Sequence, residues 1–234
     1  MNSIRPVTLP VLCLASVIWA CAAAPSGAEI VEGEALELTP AAGVAPMRFR
    51  VEQCSRRIRS EWHAKDGTLL AWDEVEMLGR DFVRYRLVRP NLGQDVTLTA
   101  AGMGTAMSGS NALPVLAGPM LIDFARAHLN ELRGGTQLRV RYLIAEHRMF
   151  VMLRLRSITA HTPGTTVRID AAQPWMRPLV PEAMLEFDPA ARFTGMRGQI
   201  LPQAGTRLRP APIAARLRVL GGAATSQCLP NATT

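Results

Sequence analysis

Apolar and polar residues alternate through most of this 234-residue chain. Met47, Phe49 and Val51 lie on one side of an extended segment and Arg48, Arg50 and Glu52 on the other, the period-two pattern of a half-buried strand. Ile58, Ser60 and Trp62 continue it, with Arg57, Arg59 and Glu61 opposite. Ala64-Lys65-Asp66-Gly67 predicts a turn, because Asp-Gly tolerates the positive φ of a tight hairpin, and a strand from Thr68 to Met77 should return antiparallel. Gly79-Arg80-Asp81 turns into Val83, Tyr85 and Leu87, and Pro90-Asn91-Leu92-Gly93 into Val96, Leu98 and Ala100, which makes a meander. The Gly- and Ser-rich stretch 101–111 has no period and predicts a loop.

At Pro119 the period changes. Leu121, Phe124, Ala125, His128, Leu129 and Leu132 recur at helical spacing, charged residues lie mostly opposite, and Gly134-Gly135 supplies a stop. One amphipathic helix over 119–133 is predicted, and its apolar face must cover something. Leu138, Val140, Tyr142 and Ile144 resume the alternation, and the run from Met149 to Ile158, apolar on both sides at its start, should cross the sheet centre. Val167 with Ile169, Leu185 with Phe187, and Phe193 to Ile200 give three further strands, with a short helical turn at Trp175-Met176-Arg177 between prolines. Prolines after Pro202 hide any period. The fold class is mainly β (α+β): a curved antiparallel sheet or incomplete β-barrel with one amphipathic helix packed on its concave side. The domain is expected over residues 34–220, with a mobile tail over 221–234.

The start of the chain reads differently. Arg5 followed by the apolar run Val7 to Trp19 is an export signal, too short to span a bilayer core of about 30 Å. Val17-Ile18-Trp19-Ala20-Cys21 resembles the lipobox of bacterial lipoproteins, although Trp19 stands where a small residue is usual. That resemblance implies lipidation of Cys21 and, with Ala22 following, outer-membrane sorting. Conventional cleavage among the small residues that follow is the alternative. Residues 1–21 are therefore the signal and 22–33 a tether.

Export changes how the remaining composition reads. Hydrophobic content of 48% and charged content of 19% suit a globular domain. Of 26 basic residues one, Lys65, is lysine, and the net charge of +7 points to an anionic partner, with nucleic acid set aside by the exported address. Cys54 and Cys228 remain once the signal is gone; outside the cytoplasm they are a disulfide candidate, stabilising by up to about 5 kcal/mol if formed.

Candidate chemistry is sparse. The chain has no Gly-x-Ser-x-Gly, Cys-x-x-Cys, His-Glu-x-x-His or phosphate-loop pattern, and no cofactor or metal is expected. His63 is the best acid-base candidate, and a cleft joining it to Glu74 or Glu76 would be the minimum for an enzyme. The acidic run Asp73, Glu74, Glu76 reads as a solvated strand edge. Arg84 with Arg86, Arg139 with Arg141, and Arg154 with Arg156 each set two guanidinium groups on one strand face, a candidate surface for anionic headgroups or a protein partner.

The segments PMLIDFARAHLNELRGGTQLRVRYLIAEHRM (residues 119–149) and LVPEAMLEFDPAARFTGMRGQI (residues 179–200) resemble uncharacterised bacterial envelope proteins, in which a helix precedes an Arg-rich hairpin. More distantly, the arrangement is similar to the half-barrels of periplasmic lipoprotein carriers and outer-membrane lipoprotein receptors, which implies an apolar concave face. The expected function is non-enzymatic. An envelope lipoprotein at the periplasmic face of the outer membrane, or soluble in the periplasm, would bind a lipid or other apolar ligand between sheet and helix, with Leu121, Phe124, Tyr142, Val151 and Leu153 as candidate wall residues. The alternative is a structural or adaptor protein that presents its Arg-rich face to an envelope partner.

Overall fold

The alternation builds one large antiparallel sheet. The computed structural model describes residues 27–38, 46–103, 113–158, 164–178, 180–206, 209–222 and 226–227. The strands of the first half are β1 (Gly27–Glu37), β2 (Met47–Cys54), β3 (Arg57–His63), β4 (Leu69–Leu78), β5 (Asp81–Arg89), β6 (Gln94–Thr99) and β7 (Val115–Ala117). After the helices α1 (Met120–Ala127) and α2 (Leu129–Arg133) come β8 (Leu138–Ile144), β9 (Met149–Ile158), β10 (Thr165–Ala171), β11 (Ala183–Phe187), β12 (Phe193–Thr206), β13 (Arg209–Gly222) and β14 (Ser226–Gln227). Their order is β6-β5-β4-β3-β2-β1-β13-β12-β11-β10-β9-β8-β7, so two meanders join where β1 pairs with β13. β14 pairs with the start of β1. Among the described strands only β7 with β8 is parallel. The sheet curves without closing, as the sequence predicts.

Three boundaries differ from the sequence reading. The segment taken as one strand from Met47 to Trp62 is two: Ser55-Arg56 is a turn, and β3 runs back along β2 with Trp62 opposite Phe49 and Ser60 opposite Val51. The inward residues are odd-numbered in β2 (Met47, Phe49) and even-numbered in β3 (Ile58, Ser60, Trp62). A continuous strand keeps one parity per face, so the switch itself marks the reversal. β1 begins at Gly27, which puts most of the expected tether and the expected boundary at residue 34 inside the sheet. The expected tail likewise starts in the sheet, since β13 reaches Gly222 and β14 pairs beyond it. The signal, residues 1–21, lies outside the described residues. Past Pro202, β12 and β13 form a hairpin of 14-residue strands whose register slips between Gln199 and Gln203, where Pro202 has no N–H to give the ladder.

The expected single helix is two, divided at His128 (φ −106°, ψ 18°). The break is shallow: His128 N–H still donates to the Phe124 carbonyl at 3.2 Å and Leu132 N–H to the His128 carbonyl at 3.0 Å. The His128 ring lies 4.4 Å from the Phe124 ring, and its Nδ1 is 2.8 Å from Glu131 Oε1, so side-chain contacts hold the turned residue. Ala125, Leu129 and Leu132 are buried among Val140, Val151, Leu155 and Val167 on the concave side.

Charged ties fix the helices across one end of the hollow. Arg126 reaches Glu29 on β1 at 2.6 Å and Gln53 on β2 at 2.9 Å, while Arg133 reaches Thr165 Oγ1 on β10 at 2.7 Å and the Asp188 carbonyl beyond β11 at 3.1 Å. Arg89 stitches the opposite end. Its buried guanidinium donates to the Leu201 carbonyl and to Gln94 Oε1, both at 2.8 Å, and pairs with Glu146 at 2.7 Å. The edges β6 and β7 share no hydrogen bonds. Instead Gly118, at φ +46° after β7, lies directly on Asp73 of β4 and Tyr85 of β5; a Cβ there would stand 2.8 Å from Tyr85 Cε2. The seam is packed, and only glycine fits it.

Candidate functional site

Between the helix pair and the stitched end the hollow is not filled. A cavity of about 270 Å³ remains, bounded by β2 to β5, the start of α1, and β8 to β13. The walls exist because inward side chains of both meanders are apolar at every second position, and Leu121 and Ile122 of α1 close one side. Most of this lining is hydrocarbon.

One part of the wall is polar. Asp73 of β4 lies directly opposite Ser60 of β3, and the Ser60 hydroxyl donates to Asp73 Oδ1. The Tyr85 hydroxyl donates to Oδ2 at 2.9 Å. Burial pushes the Asp73 carboxyl up to about 6, against the two hydrogen bonds and the Arg89 charge, which hold it down. Burial, then the nearby Asp73 charge, pushes the Tyr85 and Tyr142 phenols upward, so both stay protonated donors. Trp62 completes the wall; it is 6% exposed, and its indole Nε1 is buried without a hydrogen-bond partner.

Of the five predicted wall residues, the structure brings Leu121, Tyr142 and Leu153 to the cavity. Val151 is buried within the packed core, and Phe124 packs at its margin against His128 instead of lining the space. Asp73 was legible but misread. It shares odd parity with buried Ala71 and Val75, so it points inward, while Glu74 and Glu76 face out.

The predicted arginines do lie on the outer face, but in two separate groups. Arg84 pairs with Glu76 at 3.2 Å, and Arg86 makes a two-pronged contact with Asp95 at 3.1 and 2.7 Å, so the first meander neutralises its own charge. In the second meander Arg154 grips Asp170 at 2.7 and 2.9 Å, with Arg156 at 3.6 Å from the same carboxylate. Partial burial pushes Asp170 up, but the Arg154 hydrogen bonds and the charges of Arg154, Arg156 and Arg168 outweigh it, and the net shift is downward. Arg139 lies directly opposite Arg154, and Arg141 sits over the Phe150 ring at 4.7 Å.

The remaining candidates stay apart. His63 ends β3 beside Arg48 and Leu69, whereas Glu74 lies near Arg57 and Arg59, and Glu76 near Arg84, farther along the outer face. Cys54 is buried with Ala28 and Ile30. Cys21 and Cys228 lie outside the described residues.

No family model matches the chain. No curated protein matches it either. Among solved structures it is similar to a beta-barrel-like protein of domain of unknown function DUF1849 from Brucella abortus, with a TM-score of 0.40 and 8% identity over 84% of this chain and 97% of that one.

Proposed function

We propose that this chain is a non-enzymatic protein of the bacterial cell envelope that holds a lipid or other apolar ligand between its sheet and its helix pair. The cavity of about 270 Å³ carries the reading. Protein interiors otherwise pack to the density of organic crystals. A space worth about nine waters at ~30 Å³ each, walled mainly by hydrocarbon, approaches the ~300 Å³ lower bound of small-molecule sites. The amino-terminal signal supports export, with Cys21 as the lipid attachment point at the periplasmic face of the outer membrane. A Cys54–Cys228 disulfide belongs to the same reading: the residues just before Cys228 pair with Gly27 and Ala28, and Ala28 packs against Cys54.

A second reading, an adaptor that presents its arginines to an anionic partner, is favoured by the outer face of the second meander. There Arg197 lies directly opposite Arg216, and Arg139 opposite Arg154, while Arg156 and Arg168 are answered by Asp170 and Glu182. Like charges placed opposite one another repel, and an anionic partner would relieve them.

Native mass spectrometry of the full chain purified from a bacterial envelope distinguishes the two. The ligand reading expects a non-covalent lipid mass that leaves on denaturation, and an acylated Cys21. Leu121→Trp, which puts extra volume into the cavity, should keep the circular dichroism of the fold and lose that mass. A wild-type protein without any bound apolar molecule, recovered with an anionic envelope partner, supports the adaptor instead.

A further inference from the structure

The polar patch inside the cavity specifies more than an apolar occupant, and the step taken here rests on the ligand reading above. Trp62 and Asp73 are diagonal neighbours on the inner face: Trp62 of β3 lies opposite Ala71, two residues before Asp73 on β4. Diagonal positions are about 7–8 Å apart, within reach of an aromatic side chain and a short carboxyl. The indole N–H is a donor that nothing satisfies. The Asp73 carboxyl takes one donor on each oxygen, from Ser60 and from Tyr85, and each oxygen has a second lone pair. The inner wall therefore carries one unpaired donor and one acceptor with lone pairs to spare, at diagonal positions of neighbouring strands.

The charges around the patch restrict the occupant further. Arg89 is paired with Glu146 at 2.7 Å through Nη1, which also donates to Gln94, while its Nε donates to the Leu201 carbonyl. Asp73 forms no ion pair among the described residues, and Ser60, Tyr85 and Tyr142 around it are uncharged hydroxyls. Arg89 and Glu146 line the same cavity as a mutually neutralised pair, so an ionised Asp73 is the charge there without an ion-pair partner among the described residues. A second carboxylate beside so buried a group is repelled more strongly than in water.

We propose that the cavity takes an uncharged single-chain amphiphile whose hydroxyl or amide group sits between the Trp62 indole N–H and the Asp73 carboxyl, and that it rejects chains ending in a carboxylate. A hydroxyl or primary amide accepts from the indole and donates to the carboxyl at once. A carboxylate accepts from the indole but has no proton for Asp73.

The test is calorimetric titration of the full chain at pH 8 with 1-decanol, decanamide and decanoate, which share one chain length and differ only in the head. Decanol and decanamide should bind at least about tenfold more tightly than decanoate, the ratio that 1.4 kcal/mol represents. Trp62→Phe, which keeps a ring and removes the N–H, should weaken the two neutral ligands by about two- to tenfold, the range one net hydrogen bond supplies. Asp73→Asn should let decanoate approach them. Decanoate binding as tightly as decanol to the wild-type protein overturns the proposal without any variant, and so does a Trp62→Phe protein of unchanged affinity. Either result leaves the ligand reading standing; failure of all three chains to bind removes both.

Discussion

Removing a carboxyl from water raises its affinity for a proton by more than two hydroxyl partners and the Arg89 charge lower it, and at Asp73 this links the cavity wall to stability. The folded chain holds that proton up to about pH 6, whereas the unfolded chain releases it near the ordinary value of 3.8. Between those limits the native state binds more protons, so stability present at the acid end is lost as pH rises through about 6. A shift of about two pH units corresponds to roughly 3 kcal/mol. Asp170, Asp95 and Asp188 are shifted downward, and their contributions are lost only on acidification below the ordinary carboxylate range. The two windows therefore do not overlap. Guanidinium denaturation of wild type between pH 4 and 7 should show falling stability that flattens in Asp73→Asn, whose side chain keeps the shape of the carboxyl without its charge. An identical slope in both proteins would mean that Asp73 does not titrate in this window.

At the scale of elements, the sheet and its pairing order follow from period and parity, and the misreadings share a cause. Met47 to Trp62 looked continuous because apolar residues alternate across it, yet parity changes between Val51 and Ile58, and that change is the turn. Asp73 looked like part of an acidic edge because neighbours in sequence are not neighbours on a face; alternation places it with Ala71 and Val75. The cavity, by contrast, was not legible. Whether Leu121, Tyr142 and Leu153 line a space while Val151 is packed depends on how α1 and α2 lie on the sheet, which Arg126 and Arg133 fix through partners 97 and 32 residues away. The seam at Gly118 is of the same kind, and it can be tested against an internal control. Gly79 has φ +65° with nothing near its missing Cβ, so Gly79→Ala carries only the left-handed backbone penalty of about 1–2 kcal/mol. Gly118→Ala adds a collision with Asp73 and Tyr85 and should cost a further ~1–3 kcal/mol. Equal losses in urea denaturation would argue against a tight seam.

For the whole molecule, hydrogen bonding and burial make opposite forecasts at the place where the sheet fails to close. β7 pairs on one side only, over three residues, which predicts ready opening of an edge. Leu116 and Ala117 are nonetheless buried, which predicts protection. β7 is held to β5 by side-chain packing of Leu116 and Ala117 and by the Gly118 contact, with no ladder between them, whereas β1 and β13 are flanked by ladders on both sides. Local opening is drawn from regions where few ladder bonds must break, so β7 with the first turn of α1 should part from β4 and β5 while the rest of the sheet stays paired. That movement would uncover the cavity beside Leu121 and Ile122, the wall that α1 supplies, and so provides a way in that leaves both end ties intact. Hydrogen–deuterium exchange on the full chain should find amides of residues 115–122 exchanging well before those of β1, β13 and β10, and slowing when a cavity ligand such as decanol is bound. If residues 115–122 exchange only at the rate of the central strands, the seam opens by global unfolding alone and is not the ligand's way in.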